Sequence, residues 1–152
     1  MQIDVTRRIA APGDRVWALL TDIATSPQVM TAIESVELLE GHEEFGVGTR
    51  WRETRTMFGK RATEQMTVSV LDPGRSYTVV AESSGAKYAS TLVVVPEGDA
   101  ACTLTMTFGG EPTSTVGRIM AATVGRLFIG ATRKALEADL ADIARAAESP
   151  GP

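Results

Sequence analysis

The sequence predicts an α+β fold: a curved antiparallel sheet laid against one long C-terminal helix. Three observations carry it. Pro112 to Glu148 offers about 35 residues with no further proline, or about 50 Å of helix. Thr49 to Gly110 alternates apolar and polar residues between turn signals, the pattern of an antiparallel meander. Four turns, each placed independently, keep one set of residues on one face, whereas a one-residue slip at any of them would invert a face.

The elements follow in chain order. Gln2 to Ala10 alternates Ile3, Val5, Arg7 and Ile9 against Asp4, Thr6 and Arg8, which is a strand. Pro12-Gly13-Asp14 starts a short helix with Val16, Trp17 and Leu20 inward, and a second short helix covers Ser26 to Thr31. Val36 and Leu38 mark a further strand before a loop at Gly41 to Gly48. A turn at Gly59-Lys60 sets Met57 against Ala62, Arg55 against Glu64, Glu53 against Met66 and Trp51 against Val68. Asp72-Pro73-Gly74-Arg75 sets Val70 against Tyr77 and Val68 against Val79. Ser84-Gly85 places Ala81 opposite Tyr88 and Val79 opposite Ser90. Pro96-Glu97-Gly98-Asp99 brings Val94 near Cys102, Leu92 near Leu104 and Tyr88 near Phe108. The opposite face, with Arg50, Arg52, Thr63, Gln65, Glu82, Lys87, Thr91 and Thr105, is a wet one.

The long helix carries two apolar stripes. Ile129, Leu136, Leu140, Ile143 and Ala147 share one, which continues backwards through the small residues Gly125, Ala122 and Ala121. Val116, Ile119, Met120, Val124, Leu127 and Ala131 lie opposite. Two readings stand. Either the helix bends near Gly125 or Gly130 and each half buries its own apolar side, or the small face leaves room over a cavity and the second stripe meets a lid or partner. A homodimer through Ile119, Met120, Val124 and Leu127 is the partner reading.

Composition narrows the classes. The 152 residues carry a net charge of −4 with no basic block, which argues against nucleic acid. No apolar run approaches a membrane span, and Met1-Gln2-Ile3-Asp4 is not a signal peptide. One cysteine leaves no internal disulfide, which fits a cytoplasmic protein. His42, the sole histidine, sits in a polar loop, so no Ser-His-Asp or Cys-His arrangement is available. Cys102 reads as inert core, and no metal constellation or phosphate loop is visible.

Three phrases in order carry a family resemblance: Ile9-Ala10-Ala11-Pro12 running into Val16-Trp17-Ala18-Leu19-Leu20-Thr21-Asp22, Gly46-Val47-Gly48-Thr49 before a Trp-containing strand, and Val70-Leu71-Asp72-Pro73-Gly74-Arg75. With the element order, the chain resembles the START-like helix-grip superfamily (SRPBCC, the birch-pollen-allergen-like fold), in its polyketide cyclase/dehydrase and lipid-transport branch. The resemblance implies about seven strands wrapped round the long helix and a deep cavity for a hydrophobic or aromatic ligand. Residues 1–148 then form a single START-like ligand-binding domain and 149–152 a frayed tail. Many relatives carry tryptophan in the second short helix, where this chain reads Ser26-Pro27-Gln28-Val29-Met30, so the cavity mouth is expected to differ.

The anomaly is polar residues on the face that should be apolar: Arg7, Glu53, Arg55, Glu64, Tyr77, Ser83, Tyr88 and Ser90. Arg55 and Glu64 pair across strands in the register above, either as a structural ion pair or as groups lining the cavity. Lining by Trp51, Met66, Tyr77, Val79, Tyr88, Ser90, Leu92, Leu104, Met106, Ala121, Ala122 and Gly125 gives an apolar pocket with a few polar anchors, as small-molecule sites have. The expected function is binding or carrying a hydrophobic or aromatic small molecule, lipid or polyketide-like, with no cofactor. The alternatives are a polyketide cyclase, aromatase or dehydratase working by acid–base catalysis through Arg55, Glu53 and Glu64, and a protein-interaction module.

Overall fold

The computed structural model describes residues 2–39, 44–57, 59–83, 86–112 and 114–150, leaving aside the side chains at 83, 112, 117 and 120–124. The chain runs β1 (Gln2–Ile9), α1 (Gly13–Thr21), a 3-10 turn (Ile23–Thr25), α2 (Ser26–Val29), β2 (Ile33–Leu38), β3 (Arg50–Met57), β4 (Lys60–Asp72), β5 (Ser76–Ser83), β6 (Ala86–Pro96), β7 (Cys102–Pro112) and α3 (Thr115–Glu148). The strands form one seven-stranded antiparallel sheet in the order β1-β7-β6-β5-β4-β3-β2. Only β1 is displaced from sequence order, because α1, the 3-10 turn and α2 separate it from β2 and carry the chain to the far edge of the sheet. Pro12 starts α1: its carbonyl accepts the first helical bonds, from the Arg15 and Val16 N–H groups.

The faces are as the alternation predicts, while two hairpin registers are not. Met57 pairs with Lys60, so Arg55 faces Ala62, Glu53 faces Glu64 and Trp51 faces Met66. The turn closes one residue earlier than expected, which lets Gly59 take its left-handed φ of 74° there. At β6–β7 Pro96 pairs with Cys102, putting Val94 opposite Leu104, Leu92 opposite Met106 and Tyr88 opposite Gly110. That connection is longer than a tight turn, and it tucks Ala101 into the core. Both corrections are shifts of two, which a side-chain period of two leaves without effect on the faces. The β5–β6 pairs Ala81–Tyr88 and Val79–Ser90 are as expected, and the turn at Ser84-Gly85 lies outside the described residues. In β4–β5, Val68 meets Val79 as expected, but a bulge then sets Val70 against Thr78 and Leu71 against Tyr77. Val70 is thereby turned to solvent and Leu71 inward.

One core joins both layers. Trp51, Val68, Val79, Leu92 and Leu104 from the sheet cluster with Leu136, Leu140, Ile143 and Ala147 from α3 and with Val16 and Leu20 from α1. The helix lies mainly against β1 and β7 and against α1. Its side chains also close the free edge of β1: Arg133 donates to the Asp4 carbonyl, and Glu148 accepts from the Ala10 N–H. Arg7, expected inward, is exposed at that edge and opens on a crevice of about 330 Å³ beside Arg133 and Glu137.

Three expectations for the helix change. Pro112 ends β7, paired with Ala86, and is not the helix start. Ile129, placed on the buried stripe, is 38% exposed, because the part of α3 packed into the core begins near Thr132. The second stripe is not core: Val116 is 70% exposed, Ile119 61% and Leu127 80%. The side chains of Met120 and Val124 lie outside the described residues.

Burying each of Leu136, Leu140 and Ile143 contributes roughly 1.5–3 kcal/mol. Leu140 is 1% exposed in the centre of the interface. Leu140→Ala is expected to cost about 2–5 kcal/mol in urea unfolding, transfer and cavity terms together. A cost below about 1 kcal/mol would contradict this packing.

Candidate functional site

The inner sheet face changes character along its length. Trp51, Val68, Tyr77, Val79, Leu92, Val94, Leu104 and Met106 are buried in the common core. Toward the other end Glu64, Met66, Ala81, Tyr88, Ser90 and Phe108 point the same way but are only half-buried. The residues expected to line one pocket therefore divide. Met66, Tyr88 and Ser90 are half-buried, while Trp51, Tyr77, Val79, Leu92, Leu104 and Met106 pack in the core. Tyr77 packs in full: its ring meets Trp17 and Phe45 edge-on at 5.8 and 4.9 Å, and its hydroxyl donates to the Leu20 carbonyl at 3.3 Å. Burial, helped by the Glu53 charge, pushes the Tyr77 phenol far above its ordinary pKa, so it stays neutral.

The N-terminal half of α3 follows directly on the end of β7. Gly125 is half-buried there, and a Cβ added to it would meet nothing within 4 Å. The side chains of Ala121 and Ala122 lie outside the described residues, as does His42. On the sheet side the Tyr88 ring stacks on Phe108 at 5.4 Å with the planes 21° apart. Phe108 had appeared in the sequence only as a register partner of Tyr88. A larger concavity, about 930 Å³, lies round the same strand ends; Val80, Ala81, Tyr88 and Ala89 line it beside Gln65, Thr67, Glu82 and Lys87. It is an open groove of mixed apolar and polar lining, shared between Ala81 and Tyr88 of the inner face and residues of the outer one.

The charged groups are arranged differently from the expected cross-strand pair. Arg55 does not reach across to Glu64. Its Nε donates to Glu53 at 3.2 Å and its Nη1 to Asp139 of α3 at 2.9 Å. The two-residue register shift is the cause, since it puts Ala62 opposite Arg55 and Glu64 opposite Glu53. Trp51 completes the network, its indole N–H donating to Glu53 at 3.3 Å. Burial draws the Arg55 pKa down, but the Asp139 and Glu53 carboxylates outweigh it and hold the guanidinium above its ordinary value. Burial pushes Asp139 up. Arg55 opposes this, the Glu53 and Asp142 charges add to it, and the net shift is upward. Asp139 was missed in the sequence, although an acid between Leu136, Leu140 and Ile143 on a buried stripe is a legible signal.

Glu64 belongs instead to the open end. Burial, and then the nearby Glu64 charge, raise the Tyr88 pKa. One cluster, Trp51-Glu53-Arg55-Asp139, is thus locked between sheet and helix, while Glu64 and Tyr88 share the accessible part. Asp142, one helical turn beyond Asp139, ties the segment after α2: it accepts from the Thr31 N–H and from Arg145, each at 2.9 Å. Its pKa is lowered despite burial, because those bonds favour the charged form. Among the described residues no group of His, Cys, Asp and Glu is disposed to hold a metal, and no helix is long and apolar enough to cross a membrane. Cys102 is buried and free, its thiol pushed up by burial and by Glu97.

Residues 1–148 match the family model described as polyketide cyclase / dehydrase and lipid transport. Solved structures of the same fold include a Thermus thermophilus protein, 22% identical, covering 98% of this chain and 100% of that one at a TM-score of 0.79. The Zhui aromatase/cyclase from Streptomyces is 20% identical over 97% of this chain and 93% of its own, with a TM-score of 0.73. Norcoclaurine synthase from Thalictrum flavum, in complex with dopamine and hydroxybenzaldehyde, is 18% identical over 99% of this chain and 89% of its own, with a TM-score of 0.70. No curated protein matches the chain.

Arg55→Met would leave Glu53 and Asp139 buried without their cation. The expected cost at neutral pH is about 3–5 kcal/mol. An acid whose folded pKa is raised loses stability as pH rises through that value, because the folded state then binds more protons than the unfolded one. The variant's deficit, read from urea midpoints, should therefore shrink toward about pH 4, near the ordinary carboxylate range. A small or pH-independent deficit would contradict the locked network.

Proposed function

The chain belongs to the polyketide cyclase/dehydrase and lipid transport family, and on that premise we propose that it binds a hydrophobic or aromatic small molecule between the inner sheet face and the N-terminal half of α3. One observation carries the reading. The inner face is packed shut at one end, while at the other Met66, Tyr88, Ser90 and Phe108 stay half-open below a helix whose Gly125 meets nothing. An apolar space with a phenol, a hydroxyl and a carboxylate at its edge suits an aromatic or acyl body with a few oxygens. Two neighbours are named for work on aromatic compounds, which supports the ligand class by analogy of fold alone.

The carrier reading is favoured over the catalytic one by the state of Arg55. With both carboxylates engaged on it, the network resembles a structural clamp more than a poised acid–base set. The catalytic alternative, a cyclase, aromatase or dehydratase, keeps one specific support: Glu64 and Tyr88 sit within electrostatic reach of each other in the open part. In that reading Glu64 moves the proton and Tyr88 steadies a developing oxyanion, and Arg55 and Glu53 hold the site in shape.

A neutral fluorescent probe, N-phenyl-1-naphthylamine, tests the site. Gly125→Leu should weaken its binding at least about tenfold, equivalent to about 1.4 kcal/mol, with only modest loss of stability. Undiminished binding to a folded Gly125→Leu protein would place the ligand elsewhere.

A second copy of the chain is our reading of what covers Val116, Ile119 and Leu127, since an exposed apolar stripe on a helix can pair with itself about a two-fold axis. Sedimentation should show a dimer that Leu127→Asp converts to a monomer. A wild-type monomer at high concentration would remove the dimer.

A further inference from the structure

Two carboxylates stand directly opposite one another on the inner sheet face. Glu53 of β3 pairs with Glu64 of β4, next to the pair Trp51–Met66 on the same face. Like charges at opposed cross-strand positions destabilise a sheet. Glu53 is compensated, since Arg55 donates to it at 3.2 Å and the Trp51 indole at 3.3 Å. Arg55 spends its remaining bond on Asp139, at 2.9 Å. Three carboxylates, Glu53, Glu64 and Asp139, thus meet one guanidinium. Among the described residues no hydrogen bond or ion pair holds the Glu64 side chain.

Glu64 is half-buried, so it keeps surface that a ligand atom can touch. Its neighbours are aromatic. Burial first, and then the Glu64 charge, raise the Tyr88 pKa, which puts the carboxylate within electrostatic reach of that phenol. The Tyr88 ring in turn stacks on Phe108 at 5.4 Å, with the planes 21° apart. Across from Tyr88 on β5 stands the small Ala81, and both line the concavity of about 930 Å³ at these strand ends. An uncompensated carboxylate and two stacked rings therefore lie together where open space reaches them.

A carboxylate beside aromatic rings is recognition chemistry for an organic cation. The carboxylate takes a charge-assisted hydrogen bond, and the ring faces attract positive charge through their quadrupoles. An anion brought to the same place would meet Glu64 and Glu53, with Arg55 already engaged.

We propose that the ligand is a cation: an arylalkyl amine whose ammonium group bonds Glu64 and whose ring packs on Tyr88 and Phe108. The proposal rests on the ligand-binding reading above and narrows it from any hydrophobic or aromatic molecule to a positively charged one. Glu64 stands opposite Glu53 at a cost in stability, and the ligand brings the missing positive charge.

Three naphthalene derivatives of similar shape separate the charge states. At neutral pH 1-naphthylmethylamine is a cation, 1-naphthalenemethanol is neutral and 1-naphthoate is an anion. The wild type is expected to bind the amine about tenfold more tightly than the alcohol, the worth of one charge-assisted hydrogen bond, and the naphthoate most weakly. Glu64→Gln keeps the shape and removes the charge. It should bring the amine within about threefold of the alcohol and leave the affinity for the alcohol unchanged. Its urea midpoint should equal or exceed that of the wild type, because a like-charged neighbour of Glu53 is gone. Equal affinity of the wild type for amine and alcohol, or a preference that survives Glu64→Gln, would overturn the cation site and leave the ligand space standing. A midpoint lowered by Glu64→Gln would make Glu64 a structural group and overturn the cation site as well. Failure of the wild type to bind any of the three would overturn the ligand space and the cation site together.

Discussion

The structure depends on how the second half of α3 is held. From Thr132 onward the helix is fixed by apolar burial, with Leu136, Leu140, Ile143 and Ala147 in the common core. The Arg55–Asp139 bond ties it to β3, and Arg133 and Glu148 tie it to the open edge of β1. Before that point Val116, Ile119 and Leu127 are exposed, and a Cβ added to Gly125 would meet nothing within 4 Å. On the proposed reading, the ligand lies toward the end of α3 where this anchoring is absent among the described residues.

Charge placement follows from the same anchoring. Asp139 is buried because the helix surface around it is buried, and a buried carboxylate needs a cation. Arg55 supplies it, and is itself kept charged by Asp139 and Glu53. Replacing such a network by apolar residues of equal volume need not weaken a protein, so its value here is positional: it fixes which turn of α3 meets which strand. Glu64 stays outside the network and belongs to the accessible end with Tyr88.

Much of this was legible in the sequence. The inner and outer faces of β3 through β7 follow from a period of two, and that period is why two register errors at Gly59 and Gly98 left nearly every side chain on the right side. The bulge at Val70 was not legible, since an extra residue in one strand leaves no compositional mark. The cross-strand partner of Arg55 was wrong because pairing depends on register in a way that facing does not. Leu136, Leu140 and Ile143 were legible as a buried stripe. The limit of that stripe was not, because periodicity says which side of a helix is apolar and nothing about how far the opposing layer extends. Phe108 was overlooked for a similar reason: a lone aromatic gains significance only from what stands beside it.

A ligand under α3 and a ligand in the groove at the β5–β6 and β6–β7 strand ends would touch different side chains, and proton–proton contacts separate the two. Intermolecular NOEs from bound naphthalene are expected at the Met66 methyl and the Phe108 ring, half-buried on the inner face and outside the lining of that groove. Contacts to the Val80 methyls and Ala89 instead, both in the lining of that groove, would contradict a ligand space between helix and sheet.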